Sequence, residues 1–289
     1  MAAAAVGVQV GAATVVTRFV VEQSGPATLA FLRYLVGFAC LLPFVLRAPR
    51  VRFARADLAP IAALGIVQFA VLIALLNIGL RTIPAGRAAL ILATMPLLTM
   101  LLSAALGRER LGAAGVAGVV LTFAGVALVL APKAVLPGEH PQQWIGNAVV
   151  LAGAASGAAC SVFYRPYLVR YPTLQVSAFA MLCSVAFLAV PAGIEAWLEG
   201  WPRFDAAGWR AVAFIGISSG VGYYLWLWAL ARATPTRVTV FLALSPLTAG
   251  GIGALWLGEA LTVRFGIALA CVAAGLWLAQ RRVPAPAVR

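Results

Sequence analysis

The sequence predicts an all-α membrane protein of ten transmembrane helices, arranged as two inverted five-helix repeats. Three observations lead there. Of 289 residues, 63% are hydrophobic and only 10% are charged, whereas a soluble domain carries about 25% charged residues to keep its surface hydrated. The apolar residues fall into ten runs, each close to the roughly 20 residues needed to cross a hydrocarbon core of about 30 Å. Residues of the first half also recur in the second at a constant offset of 150: Pro96 with Pro246, Glu109 with Glu259, Leu111 with Leu261, Gly125 with Gly275. Five spans per repeat is an odd number, so the second repeat lies upside down relative to the first.

The first run, 3–21, lacks the basic start and small-residue cleavage site of a secretory signal; its first charge is Arg18, at the far end, so it reads as a retained span. Ser24-Gly25-Pro26 separates it from the second run, 27–46, and Arg47 to Asp57 separate that from the third, 58–80. Runs four and five, 86–106 and 112–131, precede a longer polar link from Pro132 to Gln143. The second half holds runs 144–166, 173–195, 209–231, 236–257 and 262–280, with Glu199 to Asp205 as its main polar break. Each run must be helical, because lipid offers no partner to unpaired backbone N–H and C=O groups. The expected organisation is thus a first repeat over 1–132, a linker over 133–143, a second repeat over 144–281 and a tail over 282–289. Two further echoes support the division: Arg81-Thr82-Ile83-Pro84-Ala85-Gly86-Arg87 against Arg232-Ala233-Thr234-Pro235-Thr236-Arg237, and Gly7/Gly11 against Gly153/Gly157.

The net charge of +13 does not indicate nucleic acid. Phosphate-binding patches cluster on one polar face, whereas here Arg residues punctuate apolar runs. They follow topology instead: with both termini inside, 13 basic residues fall in cytoplasmic connections and tail and 7 on the opposite side, the bias that sets orientation. Cys40, Cys160, Cys183 and Cys271 lie singly in apolar runs, with no CxxC, so neither a zinc site nor a disulfide framework is expected. His140, the only His, stands in a loop. No cofactor or metal is expected, and no acid–base constellation for an enzyme occurs within the spans.

The stretch from Ala88 to Leu111, with Pro96 and Glu109-Arg110-Leu111, resembles the end of an EamA domain. The stretch from Val238 to Leu261, with Ser245-Pro246-Leu247 and Gly258-Glu259-Ala260-Leu261, resembles it more closely, as do Thr17-Arg18-Phe19 and Leu32-Arg33-Tyr34. Over nearly the whole chain this resembles the drug/metabolite transporter superfamily and, within it, the ten-helix exporters of amino acids, the aromatic amino acid exporters among them. The chain departs from the family in its first helix, where small residues replace a common tryptophan, so an aromatic contact there is not carried over. The resemblance implies a multi-pass bacterial inner-membrane transporter with solute held near the midplane, among helices one, three, four, six, eight and nine.

Residue types narrow the solute site further. Gln68 is costly to face toward lipid and so is assigned to a cavity. At an offset of 151, Trp228 pairs with Asn77 and Tyr224 with Ile73; an amide opposite an aromatic suits a solute that is polar at one end and flat at the other. Tyr223 and Tyr224 lie deeper than Trp228, for which a pocket wall and an interfacial belt are both open. Ser161 and Thr239, like Ser156, Ser218 and Ser219, can bond a solute or join helices. Arg18 and Arg33 are the charges most embedded in apolar sequence; Arg33 either snorkels to the interface or faces a solute carboxylate. Glu109 and Glu259, at repeat-related helix ends, are either gates or caps paired with nearby Arg. Gly86, Pro84, Gly220, Gly222, Pro235, Gly250 and Gly251 are either hinges or close-packing sites.

The expected function is export of small metabolites, amino acids foremost, by alternating access without a midplane proton carrier. A proton-coupled multidrug exporter is the alternative within transport, and a non-transporting membrane sensor or assembly subunit the alternative outside it. The expected partners are a small-molecule solute and the lipid bilayer, with no nucleic acid, and the chain is expected to act as a monomer.

Overall fold

The computed structural model describes residues 2–49, 51–108, 113–130 and 142–280. Among these residues the regular elements are all helical. Seven helical rods, against the ten expected, are long and apolar enough to cross a membrane: Ala3–Gln23, Pro26–Arg47, Arg55–Leu80, Ala85–Ala105, Gln143–Arg170, Thr173–Glu199 and Ala206–Arg232. Three further apolar helices, Ala113–Leu128, Phe241–Leu257 and Val263–Leu278, are shorter. The large side chains on the outer surface are apolar, with Leu255 91% and Trp197 84% exposed, as expected where the solvent is hydrocarbon.

In chain order the helices are α1 (Ala2–Val20), α2 (Pro26–Arg47), α3 (Arg55–Gly65), α4 (Leu72–Leu80), α5 (Ala85–Leu92), α6 (Met95–Ala105), α7 (Ala113–Leu130), α8 (Gln142–Phe163), α9 (Arg165–Arg170), α10 (Thr173–Glu199), α11 (Ala206–Arg232), α12 (Pro235–Thr239), α13 (Leu244–Leu257) and α14 (Val263–Gln280). A π-helical turn, Ile66–Val71, joins α3 to α4 without a break in the rod. Two rods are broken instead. The backbone turns at Ala93 and Thr94 between α5 and α6, where the Thr94 hydroxyl donates to the Ile91 carbonyl at 2.7 Å and Pro96 supplies no N–H. A 3-10 turn, Val240–Ala243, intervenes between α12 and α13, just ahead of Pro246. Pro96 and Pro246 are one of the repeat-related pairs read from the sequence.

The halves interlock rather than stand side by side. Helix α1 packs on α11 and α13, α2 on α10 and α11, α4 and α6 on α8, and α7 on α14. Small residues set the closest approaches. A Cβ on Gly220 of α11 would lie 2.6 Å from the Gly37 carbonyl of α2, and one on Gly125 of α7 would lie 2.6 Å from the Cys271 Cβ of α14. Helices without a hydrophobic drive between them rely on such backbone proximity.

Candidate functional site: a cavity between the halves

A cavity of about 110 Å³ lies inside the bundle, walled by α1, α2, the π-helical turn, α4, α5, α6, α11, the 3-10 turn and α13. Its walls obey the sequence repeat. Leu72 and Gly222, Ile73 and Tyr223, Leu76 and Trp226, Leu92 and Leu242, and Met95 and Ser245 all line it, and every pair keeps the register that relates Pro96 to Pro246. The offset of 151 expected around Asn77 and Trp228 is therefore corrected to that common register: Ile73 faces the same space as Tyr223, not as Tyr224.

Local breaks in the helices bring polar groups to this space. The π-helical turn adds a residue to its turn and presents Gln68 to the cavity. Met95 and Ser245, each next to a break in its rod, both line the cavity. The Ser245 hydroxyl is buried and has no hydrogen-bond partner among the described residues. Gln9, on α1, donates to the Ser218 hydroxyl at 3.2 Å and lies so close to Gly222 that no Cβ fits between them. Phe69 stacks edge-on against both Tyr34 (4.7 Å between centroids) and Tyr223 (4.1 Å), fixing one aromatic wall.

Among the described residues, Arg33 is the one charged residue on the wall. It is only 7% exposed. Its Nε donates to the Ser219 hydroxyl at 2.7 Å and its guanidinium carbon lies 5.8 Å from the Tyr34 ring centre. No ion pair to Arg33 forms among the described residues. The side chain therefore points inward from α2 and does not snorkel.

Carboxylates stand at the two ends of the bundle. At one end Glu195, on α10, accepts from the Ala27 and Thr28 amides at 3.0 and 2.7 Å and from the Thr28 hydroxyl at 2.8 Å, capping α2. Glu259 accepts from the Ala85 amide at 2.9 Å and from the Gly86 amide at 3.4 Å, capping α5. Beside Glu195 opens a polar crevice of about 550 Å³ that also includes Glu22, Arg81, Glu199 and Arg203. At the other end Asp57 accepts from Arg170 and from the Tyr171 hydroxyl, both at 2.6 Å, and the same hydroxyl accepts from the Ala54 amide at 3.1 Å. Glu195 to α2, Glu259 to α5 and Asp57 to Arg170 all join early residues to late ones.

Comparison with known proteins bears on this geometry directly. The model of the EamA-like transporter family matches residues 1–131 and again 144–280. The chain belongs to the EamA-like transporter family. It is similar to a protein described as a "Probable terminal-alkyne amino-acid exporter" from Streptantibioticus cattleyicolor, 30% identical over 241 residues, covering 83% of this chain and 77% of that one. It is also similar to an uncharacterized transporter from Archaeoglobus fulgidus, 26% identical over 275 residues, covering 94% and 95%. A solved crystal structure, 24% identical, superposes with a TM-score of 0.70 over 96% of both chains, a likeness of fold. This EamA-family chain is thus a multi-pass membrane transporter, and the cavity takes its walls from both matched stretches.

Of the residues singled out from sequence, Gln68, Tyr223 and Arg33 meet in the cavity. Ser219 and Gly222 line it too, whereas Asn77, Ser161, Tyr224, Trp228, Thr239, Arg18 and Glu259 do not. Asn77 is fully buried, its amide donating to the Pro26 carbonyl at 2.9 Å. Ser161 and Thr239 donate to the carbonyls four residues back, Gly157 and Pro235, at 2.8 and 2.9 Å. Tyr224 packs partly buried against the core, and Trp228 is 36% exposed with the Arg232 guanidinium 3.9 Å from its ring centre, a surface position. Arg18 pairs with Glu22 at 2.6 Å on the surface. Glu259 caps a helix, and Glu109 lies outside the described residues, as do the polar link apart from Gln142 and Gln143, and the tail. Gly220 and Gly250 are packed closely, whereas Gly251 has open space. Sequence reasoning did not find Gln9 or Ser245 as wall residues, nor Glu195 and Asp57 as ties. Gln9 was findable as a lone amide among small residues; the ties join positions far apart in the chain and leave no local signal.

Proposed function

We propose that this EamA-family transporter exports small metabolites, amino acids foremost, from a bacterial cytoplasm across the inner membrane. Ten spans form two inverted five-helix repeats, over 1–132 and 144–281, with both termini cytoplasmic, and one chain suffices for transport. The carrying observation is that five repeat-related pairs of positions line one cavity. A passage built of equivalent pieces of two oppositely oriented repeats opens to either side when the repeats rock against each other. At about 110 Å³ the cavity is smaller than the roughly 150 Å³ that holds a benzene ring, so it widens to pass a solute. The resemblance to an amino-acid exporter supplies the solute class.

Proton coupling through a midplane carboxylate is not part of the proposal, since the cavity wall carries no Asp or Glu among the described residues. The test is flux in proteoliposomes across a panel of amino acids, with and without an imposed pH gradient. Transport of at least one amino acid, at a rate that does not follow the gradient, is expected. Absence of flux for every solute contradicts transport, and a rate that follows the gradient favours the proton-coupled multidrug reading instead.

A further inference from the structure

The cavity holds a buried cation without a counter-charge. A guanidinium kept from water in a membrane protein ordinarily finds a carboxylate. Arg33 has only a neutral hydroxyl and the face of a tyrosine ring, and among the described residues no acid lies on the cavity wall. Glu195, Glu259 and Asp57 stand at the ends of the bundle and are engaged there, on two helix N-termini and on Arg170.

Ser219, 5% exposed, accepts from the Arg33 Nε and so aims the guanidinium. The two terminal nitrogens, with four N–H groups, make no hydrogen bond among the described residues. The Ser245 hydroxyl, on the wall of the same cavity, is buried and has no hydrogen-bond partner among the described residues. Leu72, Ile73, Leu76, Leu92 and Leu242 are among the residues that supply aliphatic surface.

We propose that Arg33 and Ser219 form a carboxylate subsite, so that the cavity takes small aliphatic monocarboxylates and rejects amines that lack a carboxylate. This rests on the transporter reading above and names the part of the solute that is recognised. A planar carboxylate satisfies both terminal nitrogens of Arg33 at once, and the Ser245 hydroxyl is free to bond a second polar group. An α-ammonium meets only neutral acceptors, the Gln9 and Gln68 amide oxygens among them, so it is tolerated but not required. An amine without a carboxylate brings a second positive charge beside Arg33.

The test is ligand-induced thermal stabilisation of the detergent-purified full chain at pH 7, with three probes of one carbon skeleton: leucine, 4-methylpentanoate and 3-methylbutylamine. A ligand that binds only the folded state raises the melting temperature. Leucine and 4-methylpentanoate are expected to raise it in a saturable way, and 3-methylbutylamine is not. Arg33→Gln is expected to weaken the two acids by roughly tenfold or more, the size of a lost charge-assisted pair, while Arg33→Lys keeps part of the effect. Should Arg33→Gln fail to fold, Ser219→Ala, which frees the guanidinium to turn, is expected to weaken both acids without changing the order of the probes. Stabilisation by 3-methylbutylamine equal to that by leucine, acid binding undiminished in both Arg33→Gln and Ser219→Ala, or no response to any probe overturns the proposal. Flux of a neutral or cationic solute in proteoliposomes alongside such a result overturns the carboxylate subsite and leaves transport standing.

Discussion

A buried hydroxyl without a partner is a cost that the folded protein carries in the absence of solute. At Ser245 that cost is local and removable: Ser245→Ala deletes the unpartnered oxygen without opening a large void. Leaving a buried polar group unsatisfied costs about 1–3 kcal/mol, so Ser245→Ala is expected to melt at the same temperature or higher while transporting more slowly. A lowered melting temperature with unchanged transport would mean that the hydroxyl has a structural partner. Residue-scale facts were also the hardest to read from sequence. In a helix apolar all round, nothing in the pattern says which face is inward, so Tyr224 and Trp228 were chosen beside Tyr223, and Trp226, which does line the cavity, was passed over. Arg33 was ambiguous because its depth below the interface, not its neighbours, decides between snorkelling and burial. Gln68 was legible because a long amide in the middle of a span has few other places to go.

Helices in this chain are tied at their ends by carboxylates that reach across the bundle. Both oxygens of Glu195 are engaged at the start of α2, where backbone N–H groups lack intrahelical partners and the helix dipole favours negative charge. Glu195→Gln turns one accepting oxygen into a donor facing an N–H, and a loss of about 1–3 kcal/mol is expected, measured by thermal melting in detergent. A loss below a few tenths of a kcal/mol would show the tie to be ornamental. Contacts between helices give a paired prediction. Gly220→Ala drives a methyl group against the Gly37 carbonyl, backbone that cannot swing aside, and overpacking of this kind costs about 1–3 kcal/mol. Gly251→Ala meets open space and gains helix propensity of up to about 1 kcal/mol, so it is expected to be neutral or stabilising. Equal destabilisation by both would place a conformational role on Gly251. That the apolar runs are helical was legible because a bilayer leaves the backbone no alternative to helix. Their internal breaks were not: the π-helical turn at Ile66–Val71 sits in a run as apolar as any other and carries no local marker, and Pro246, just past the break before α13, was read only as a repeat match.

At the scale of the whole molecule, the repeat visible in Pro96 and Pro246 becomes a cavity whose walls come in pairs. The proposed inverted topology makes a simple demand on orientation: reporter fusions to residues 1 and 289 are expected on the same, cytoplasmic face, and fusions on opposite faces would refute an even number of spans. Seven helical rods satisfy the length needed to cross a bilayer outright. The most direct measurement is thiol labelling of the repeat-related pair Met95→Cys and Ser245→Cys, each in a chain whose four native cysteines are replaced. Membrane-impermeant reagent is applied from one face and then the other. Alternating access predicts that both positions react from both faces and that a transported solute slows the reaction. Reaction from one face only, or a rate indifferent to solute at both positions, would contradict a shared passage between the two halves.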